Sequence, residues 1–303
     1  MIVVFGSLNV DIVMLSSKLP SPGETVIGAD CLMVAGGKGA NQACAAARAG
    51  GDVAMFGAVG NDDWAAQATA TLAEAGVDIG GIGRGSRHTG CATIMVDRGG
   101  ENAIVVASGA NMEARADGVP DAMLTPDTWL VLQMEVDVAE NWALIRRARD
   151  RGARILLNVA PAGAVPAEAL DAVDILVVNQ VEAAMIAAAE GLPSDDPGAA
   201  LVARHGLTCV TTLGADGAVA LGPEAGWRIG GLKVDPVDTT GAGDCFTGVL
   251  AATLAGGGDM PAAMRRASTA AALCCTVAGT QSSLPMADAI DARLGDLSPA
   301  ERL

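Results

Sequence analysis

Asp244 follows a short glycine stretch, Gly241-Ala242-Gly243, and precedes an apolar run, CFTGVLAATLAG. A carboxylate in that position has two readings. It can cap a helix, accepting backbone N–H groups and matching the positive end of the dipole. It can also be a base beside an anion site, because glycines at a helix start leave N–H groups open to a phosphate-sized group. Asn9 and Asp11 close the run GSLNVD and, if extended, project to one face. An amide and an acid so placed can hold two adjacent hydroxyls, or they can stabilise an Asx turn. Gly36-Gly37-Lys38-Gly39-Ala40-Asn41 opens a helical stretch. It lacks the GxxxxGK[ST] pattern, since Leu32 and Gly39 occupy the diagnostic positions. Its glycines permit close approach of a small ligand to the backbone, within reach of Lys38 and Asn41, or simply a turn. Gln133-Met134-Glu135, Asn158 and Asn179 end three further apolar runs, and Thr211–Gly217 is a turn after another. Glu182, three residues beyond Asn179, either completes a capping box or holds Mg²⁺ through waters. His88 and His205 have no carboxylate, Ser or Cys at an informative spacing, which argues against zinc and Ser–His–Asp chemistry.

Such residues need strand ends to position them. IVVF (2–5), DVAMFGAVG (52–60), WLVLQM (129–134), RILLNVA (154–160), DILVVN (174–179) and LTCVTTLG (207–214) alternate with Ala-rich helical stretches. The pattern predicts an α/β fold of three layers, a mostly parallel central sheet flanked by helices. Residues about 12–35 and 88–108 interrupt it with β-rich runs lacking helices, and Asp97-Arg98-Gly99-Gly100 reads as a hairpin turn. These two insertions are expected to pair into one small sheet on a single domain spanning 1–303.

Composition narrows the partners. Four Trp, three Phe, no Tyr and a net charge of −16 leave neither stacking platform nor basic stripe for nucleic acid. A small anion remains possible, bound by local N–H groups. Seven scattered cysteines without a CxxC pair fit free thiols in a reducing cytoplasm. The start, MIVVFGSLNVD, reads as a strand and not as a signal peptide, and no apolar run approaches membrane-spanning length. A soluble cytoplasmic protein is expected.

In order along the chain stand GSLNVD, PSPGETV, GGKGANQA, GENAIVVASGAN, LQME, LNVAPA, NQVE, TTLGADG and VDTTGAGDCFTG. Together they resemble the ribokinase-like carbohydrate kinase family over nearly the full length. The resemblance implies transfer of the ATP γ-phosphoryl group to a sugar's primary hydroxyl, D-ribose O5 foremost. Deoxyribose, fructose, ketodeoxygluconate or adenosine are alternative substrates, and a sugar sensor without catalysis is a third reading. By the same resemblance Asp244 is the base, and the N–H groups of Gly241, Ala242 and Gly243 form the anion hole. Asn9, Asp11, Gly37, Lys38, Gly39, Asn41 and Glu135 would bind the sugar. Asn179, Thr212, Gly214 and Gly243 would lie on the ATP side, with Glu182 helping to place Mg²⁺. Asp238, Thr240, Gly279 and Ser283 match positions for a monovalent cation, usually K⁺. The small sheet would be a lid over the sugar and the contact of a homodimer. Gln180 stands where an acid is usual, and Val277 and Ala278 where basic residues can occur. Few aromatics leave adenine with aliphatic neighbours such as Val237 and Val249.

Overall fold

A computed structural model describes residues 1–99, 101–193 and 195–303. In chain order its strands are β1 (Ile2–Phe5), β2 (Asn9–Leu15), β3 (Asp30–Gly36), β4 (Val53–Val59), β5 (Asp78–Arg84), β6 (Gly90–Val96) and β7 (Asn102–Ala107). After them come β8 (Trp129–Leu132), β9 (Arg154–Asn158), β10 (Ile175–Asn179), β11 (Thr208–Thr212), β12 (Ala218–Leu221), β13 (Gly226–Ile229) and β14 (Glu301–Arg302). The helices are α1 (Lys38–Arg48), α2 (Trp64–Glu74), α3 (Val138–Asp150), α4 (Ala167–Leu170), α5 (Gln180–Ala189), α6 (Pro197–His205), α7 (Ala242–Ala255), α8 (Met260–Cys274) and α9 (Ala287–Arg293).

One large sheet runs β14-β13-β12-β11-β10-β9-β8-β1-β4-β5. From β11 to β5 every pairing is parallel; β12, β13 and β14 add an antiparallel edge. Strand alternation divides the apolar side chains between two cores. Ile2 and Val4 face α1, α2, α7 and α8, whereas Val3 and Phe5 face α3, α5 and α6. That is the expected three-layer arrangement.

The second sheet, β3-β2-β6-β7, joins the two insertions. Its first strand begins earlier than expected. β1 stops at Phe5, and Asn9 and Asp11 belong to β2, so the residues read as the end of the first strand start the small sheet instead. The reason is an interruption of the strand at Gly6–Leu8, where the backbone passes against α1. The turn between β6 and β7 is built by Asp97, whose Oδ1 accepts the N–H groups of Gly99 and Glu101; Gly100 lies outside the described residues.

Local chemistry sets the helix starts. Asp137, Asp196 and Asp259 cap α3, α6 and α8 with side-chain oxygens. Glycines cap α1 and α7 instead, Gly37 at φ 89° and Gly241 at φ 80°. The His205 side chain is buried, with Asp171 2.7 Å from Nδ1 and Glu190 2.9 Å from Nε2, and His88 is exposed beside Asp62.

α1 and α7 cross where Gly248 leaves no room. A Cβ there would lie 2.4 Å from the Gln42 carbonyl oxygen and 2.8 Å from the Ala45 Cβ. Gly248→Ala is therefore expected to lower stability by about 1–3 kcal/mol, the usual result of overpacking. Thermal unfolding checks this, and an unchanged melting temperature would show that the helices separate freely.

Candidate active site

Asp244 sits on the first turn of α7 and is buried. Both carboxylate oxygens are held from α1: Asn41 Nδ2 donates to Oδ2 at 3.0 Å and Gln42 Nε2 donates to Oδ1 at 2.9 Å. It is not a cap for its own helix. The N–H groups of Gly243 and Asp244 have no acceptor in the chain among the described residues, as first-turn groups commonly lack. Ala242 differs from its expected part in the anion hole, because its N–H donates to the Thr239 carbonyl at 3.3 Å. Beside Gly243 a Cβ would meet nothing within 4 Å, so the backbone there faces open space.

A cleft of about 190 Å³ gathers Lys38, Asn158, Asn179, Glu182, Thr212, Gly241, Gly243 and Asp244. It meets a second cleft of about 560 Å³ at Thr212 and Gly243. Leu232, Val234, Pro236, Phe246 and Ala271 make that second cleft apolar, and Gly214 is on its wall. Val249, expected there, is instead buried in the core, and Val237 is exposed. Phe246, one turn earlier on α7, lines the cleft, while Val249 is fully buried in the core.

Gly37 and Gly39 serve the chain's own packing. A Cβ at Gly37 would lie 2.8 Å from the Asn9 nitrogen, and one at Gly39 would lie 2.6 Å from the Ser7 nitrogen. Both glycines let α1 press on the chain's own Gly6–Asn9 backbone. Glu135 secures that junction: Oε2 accepts Ser7 Oγ at 2.6 Å and the Lys38 N–H at 3.0 Å. Asn111, which sequence reasoning assigned no role, donates Nδ2 to Asn9 Oδ1 at 2.7 Å and accepts the Leu8 N–H at 2.8 Å. Asn9 is thereby left with its amide N–H groups to offer. Asn41 Oδ1 is buried with no partner among the described residues.

Asp11 lies beside Gly36, at whose position a Cβ would fall 2.1 Å from Oδ2. Burial, then the charges of Glu135 and Asp244, push its carboxyl up to about 7, against the pull of Lys38. The Lys38 ammonium is itself raised, first by Asp244 and against the cost of burial. Asn179 and Glu182 form the capping box: Asn179 N–H donates to Glu182 Oε2 at 2.7 Å and Glu182 N–H to Asn179 Oδ1 at 2.8 Å. Burial raises the Glu182 carboxyl. Asp238 ties two loops together, accepting the Thr240 and Gly279 N–H groups at 2.9 Å each. The Ser283 hydroxyl donates to the Thr280 carbonyl at 2.7 Å, which orients its oxygen and leaves its lone pairs as well as the backbone oxygen for any ion site. Gln42, Gln133 and Asn111 are the residues that sequence reasoning missed; each lies within a quoted motif, but their roles depend on contacts 91 to 202 positions away.

An acid at an open helix N-terminus, an apolar cleft next to it and paired polar groups opposite define a phosphotransferase site of the α/β class. The chain belongs to the pfkB family of carbohydrate kinases, whose model matches residues 1–287. It is 34% identical over 288 residues to the ribokinase of Haemophilus influenzae, covering 93% of this chain and 94% of the other. The ribokinase structure of Thermotoga maritima superposes with a TM-score of 0.90 at 29% identity, over 97% of this chain and 99% of that one. The Arabidopsis thaliana ribokinase complexed with ribose and ATP gives 0.87 at 29% identity, over 97% and 98%.

The raised Asp11 carboxyl makes a pH prediction. If Asp11 binds sugar hydroxyls as a carboxylate acceptor, the form it uses predominates above about 7. The apparent KM for sugar should therefore fall by about tenfold from pH 6 to 8, following the ionised fraction. Stability linked to Asp11 runs the other way, declining as pH rises from 3.8 to about 7, because the folded state keeps a proton the unfolded chain has lost. Asp11→Asn should abolish the KM trend, and a trend that survives this change would belong to another group.

Proposed function

We propose that the protein is an ATP-dependent kinase that phosphorylates the primary 5-hydroxyl of D-ribose, giving D-ribose 5-phosphate and ADP. The observation that carries this reading is the Asp244 carboxylate, held by Asn41 and Gln42 next to the open N–H groups of Gly243 and its own backbone. The ribokinase complexed with ribose and ATP supports the substrate pair.

In this reading Asn9 donates to, and Asp11 accepts from, adjacent sugar hydroxyls, while Asn41 Oδ1 and the free oxygen of Glu135 take others. Asp244 removes the proton of the primary hydroxyl as its oxygen attacks the γ-phosphorus. Charge developing on the transferring group meets the α7 N-terminus, and ADP leaves with adenine in the apolar cleft. Phosphoryl transfer relies on such positioning and charge stabilisation more than on covalent chemistry. Lys38 stays protonated and offsets negative charge between sugar and phosphate.

The donor set also suits the ions. Glu182 retains one carboxylate oxygen beside the cleft, the kind of sparse ligation with which Mg²⁺ keeps its waters and binds phosphates. Magnesium there would neutralise phosphate charge. Asp238 has no ion pair among the described residues and lies between two oxygen-rich loops, which fits a weakly held K⁺. Such an ion would order the turn before α7.

The small sheet is proposed as a lid over the sugar and as the contact of a homodimer. Both of its faces expose apolar side chains, Leu32, Ile104 and Val106 on the face that carries Asp11 and Met33 and Val105 on the opposite one, and exposed apolar surface of this kind is what interfaces cover.

Asp244→Asn is expected to lower kcat by about 10²–10⁴ with KM for sugar and ATP little changed. A drop of less than roughly tenfold would remove Asp244 as the base. Release of ADP should be fastest with D-ribose in a panel containing 2-deoxy-D-ribose, D-fructose and adenosine; faster turnover of another member would reassign the substrate and keep the chemistry. Val105→Glu should yield monomers in sedimentation equilibrium, and a persistent dimer would move the interface elsewhere.

A further inference from the structure

Gln42 is fully buried on the second turn of α1, and its carboxamide touches three polar groups. Nε2 donates to Asp244 Oδ1 at 2.9 Å and to Asn158 Oδ1 at 3.0 Å, and Oε1 accepts from Gln133 Nε2 at 2.7 Å. The direction of this chain of amides is set at its far end. Asn158 Nδ2 donates to the Val177 carbonyl at 3.0 Å, and a carbonyl can only accept. Asn158 must therefore turn its oxygen to Gln42, which must answer with its N–H groups. Gln133 completes the order by donating, and its own Oε1 is left buried without a partner among the described residues. An orphaned buried acceptor is costly. A reversed Gln133 would instead confront the Gln42 oxygen with its own oxygen. That would drive the Gln42 oxygen toward the Asp244 carboxylate.

We propose that Gln42 is a positioning residue for the base, oriented by Asn158 and Gln133 so that its amide always donates to Asp244. The inference rests on Asp244 being the base. A donor fixed on Oδ1 holds the carboxylate in one rotamer, with a lone pair left for the substrate hydroxyl. Other charged groups share the pocket: Lys38 on α1, Asp11 on β2, Glu135 after β8 and Glu182 on α5. Their fields act on Asp244 whether or not Gln42 is present, so removing the amide isolates its contribution.

The test measures kcat, both KM values and the pH dependence of kcat for Gln42→Met, Gln42→Glu and Gln133→Met, with folding followed by thermal unfolding. Gln42→Met should reduce kcat by about 10- to 100-fold, the worth of a lost bond to a charged group, with both KM values within about threefold. The acid limb of its kcat profile should move to higher pH. Gln42→Glu should move it further by adding a like charge, and Gln133→Met should move it less and in the same direction. An unmoved acid limb in folded Gln42→Met overturns the inference, as does a loss carried by KM alone. If Gln42→Met does not fold, the limb of Gln133→Met decides in the same way. Asp244→Asn, run alongside, separates the two readings. An inactive Asp244→Asn with an unmoved limb in Gln42→Met overturns only the role of Gln42, whereas an active Asp244→Asn overturns the base and this inference with it.

Discussion

Lys38 stands among the carboxylates of Asp11, Glu135, Glu182 and Asp244, and that imbalance governs the site. Asp244 does most to hold the ammonium above the ordinary lysine range while burial works against it. Burial first, and then the charges of Glu135 and Asp244, keep a proton on Asp11 up to about neutrality. On a chain of net charge −16 the surroundings do nothing to relieve it. A polyphosphate entering such a place needs fixed dipoles or cations to meet it. The glycine-capped start of α7 supplies them without adding a side chain that would compete for Asp244.

The lysine is held by its backbone as well as by its charge. Its N–H ends on Glu135 Oε2, which also takes the Ser7 hydroxyl, and α1 presses on Gly6–Asn9 through Gly37 and Gly39. The strand that carries Asn9 and Asp11, the helix that carries Lys38, Asn41 and Gln42, and the loop after β8 are thus one packed unit. α7 docks on that unit at Gly248, which fixes the distance between base and amides.

Much of this was legible in the chain. Uninterrupted apolar runs such as DILVVN announce strands buried on both faces, and the glycine stretches before α1 and α7 announce helix starts without side-chain caps. Asn179 and Glu182 were legible as a capping box, which is how they are bonded. The assignment of Asn9 to the large sheet failed because GSLNVD gives no sign that the chain changes sheets at Gly6–Leu8. Gln42 was passed over because a Gln in an Ala-rich helix looks like a solvated position; its meaning lies in Asn158 and Gln133, which arrive from separate strands. Val249 was misplaced since its neighbourhood depends on how α7 rotates against α1.

One bond joins regions that have been described apart. Thr280 Oγ1, in the loop that Asp238 holds, donates to the Ala35 carbonyl at the end of β3, next to Gly36 and the Asp11 carboxylate. In the proposed reading, an ion ordering this loop would act on the strand paired with Asp11 through that contact. Thermodynamic linkage is reciprocal: by whatever factor the ion tightens the hold on sugar, sugar must tighten the hold on the ion. Occupancy of one proposed site would then report on the other, without any change in the base between them.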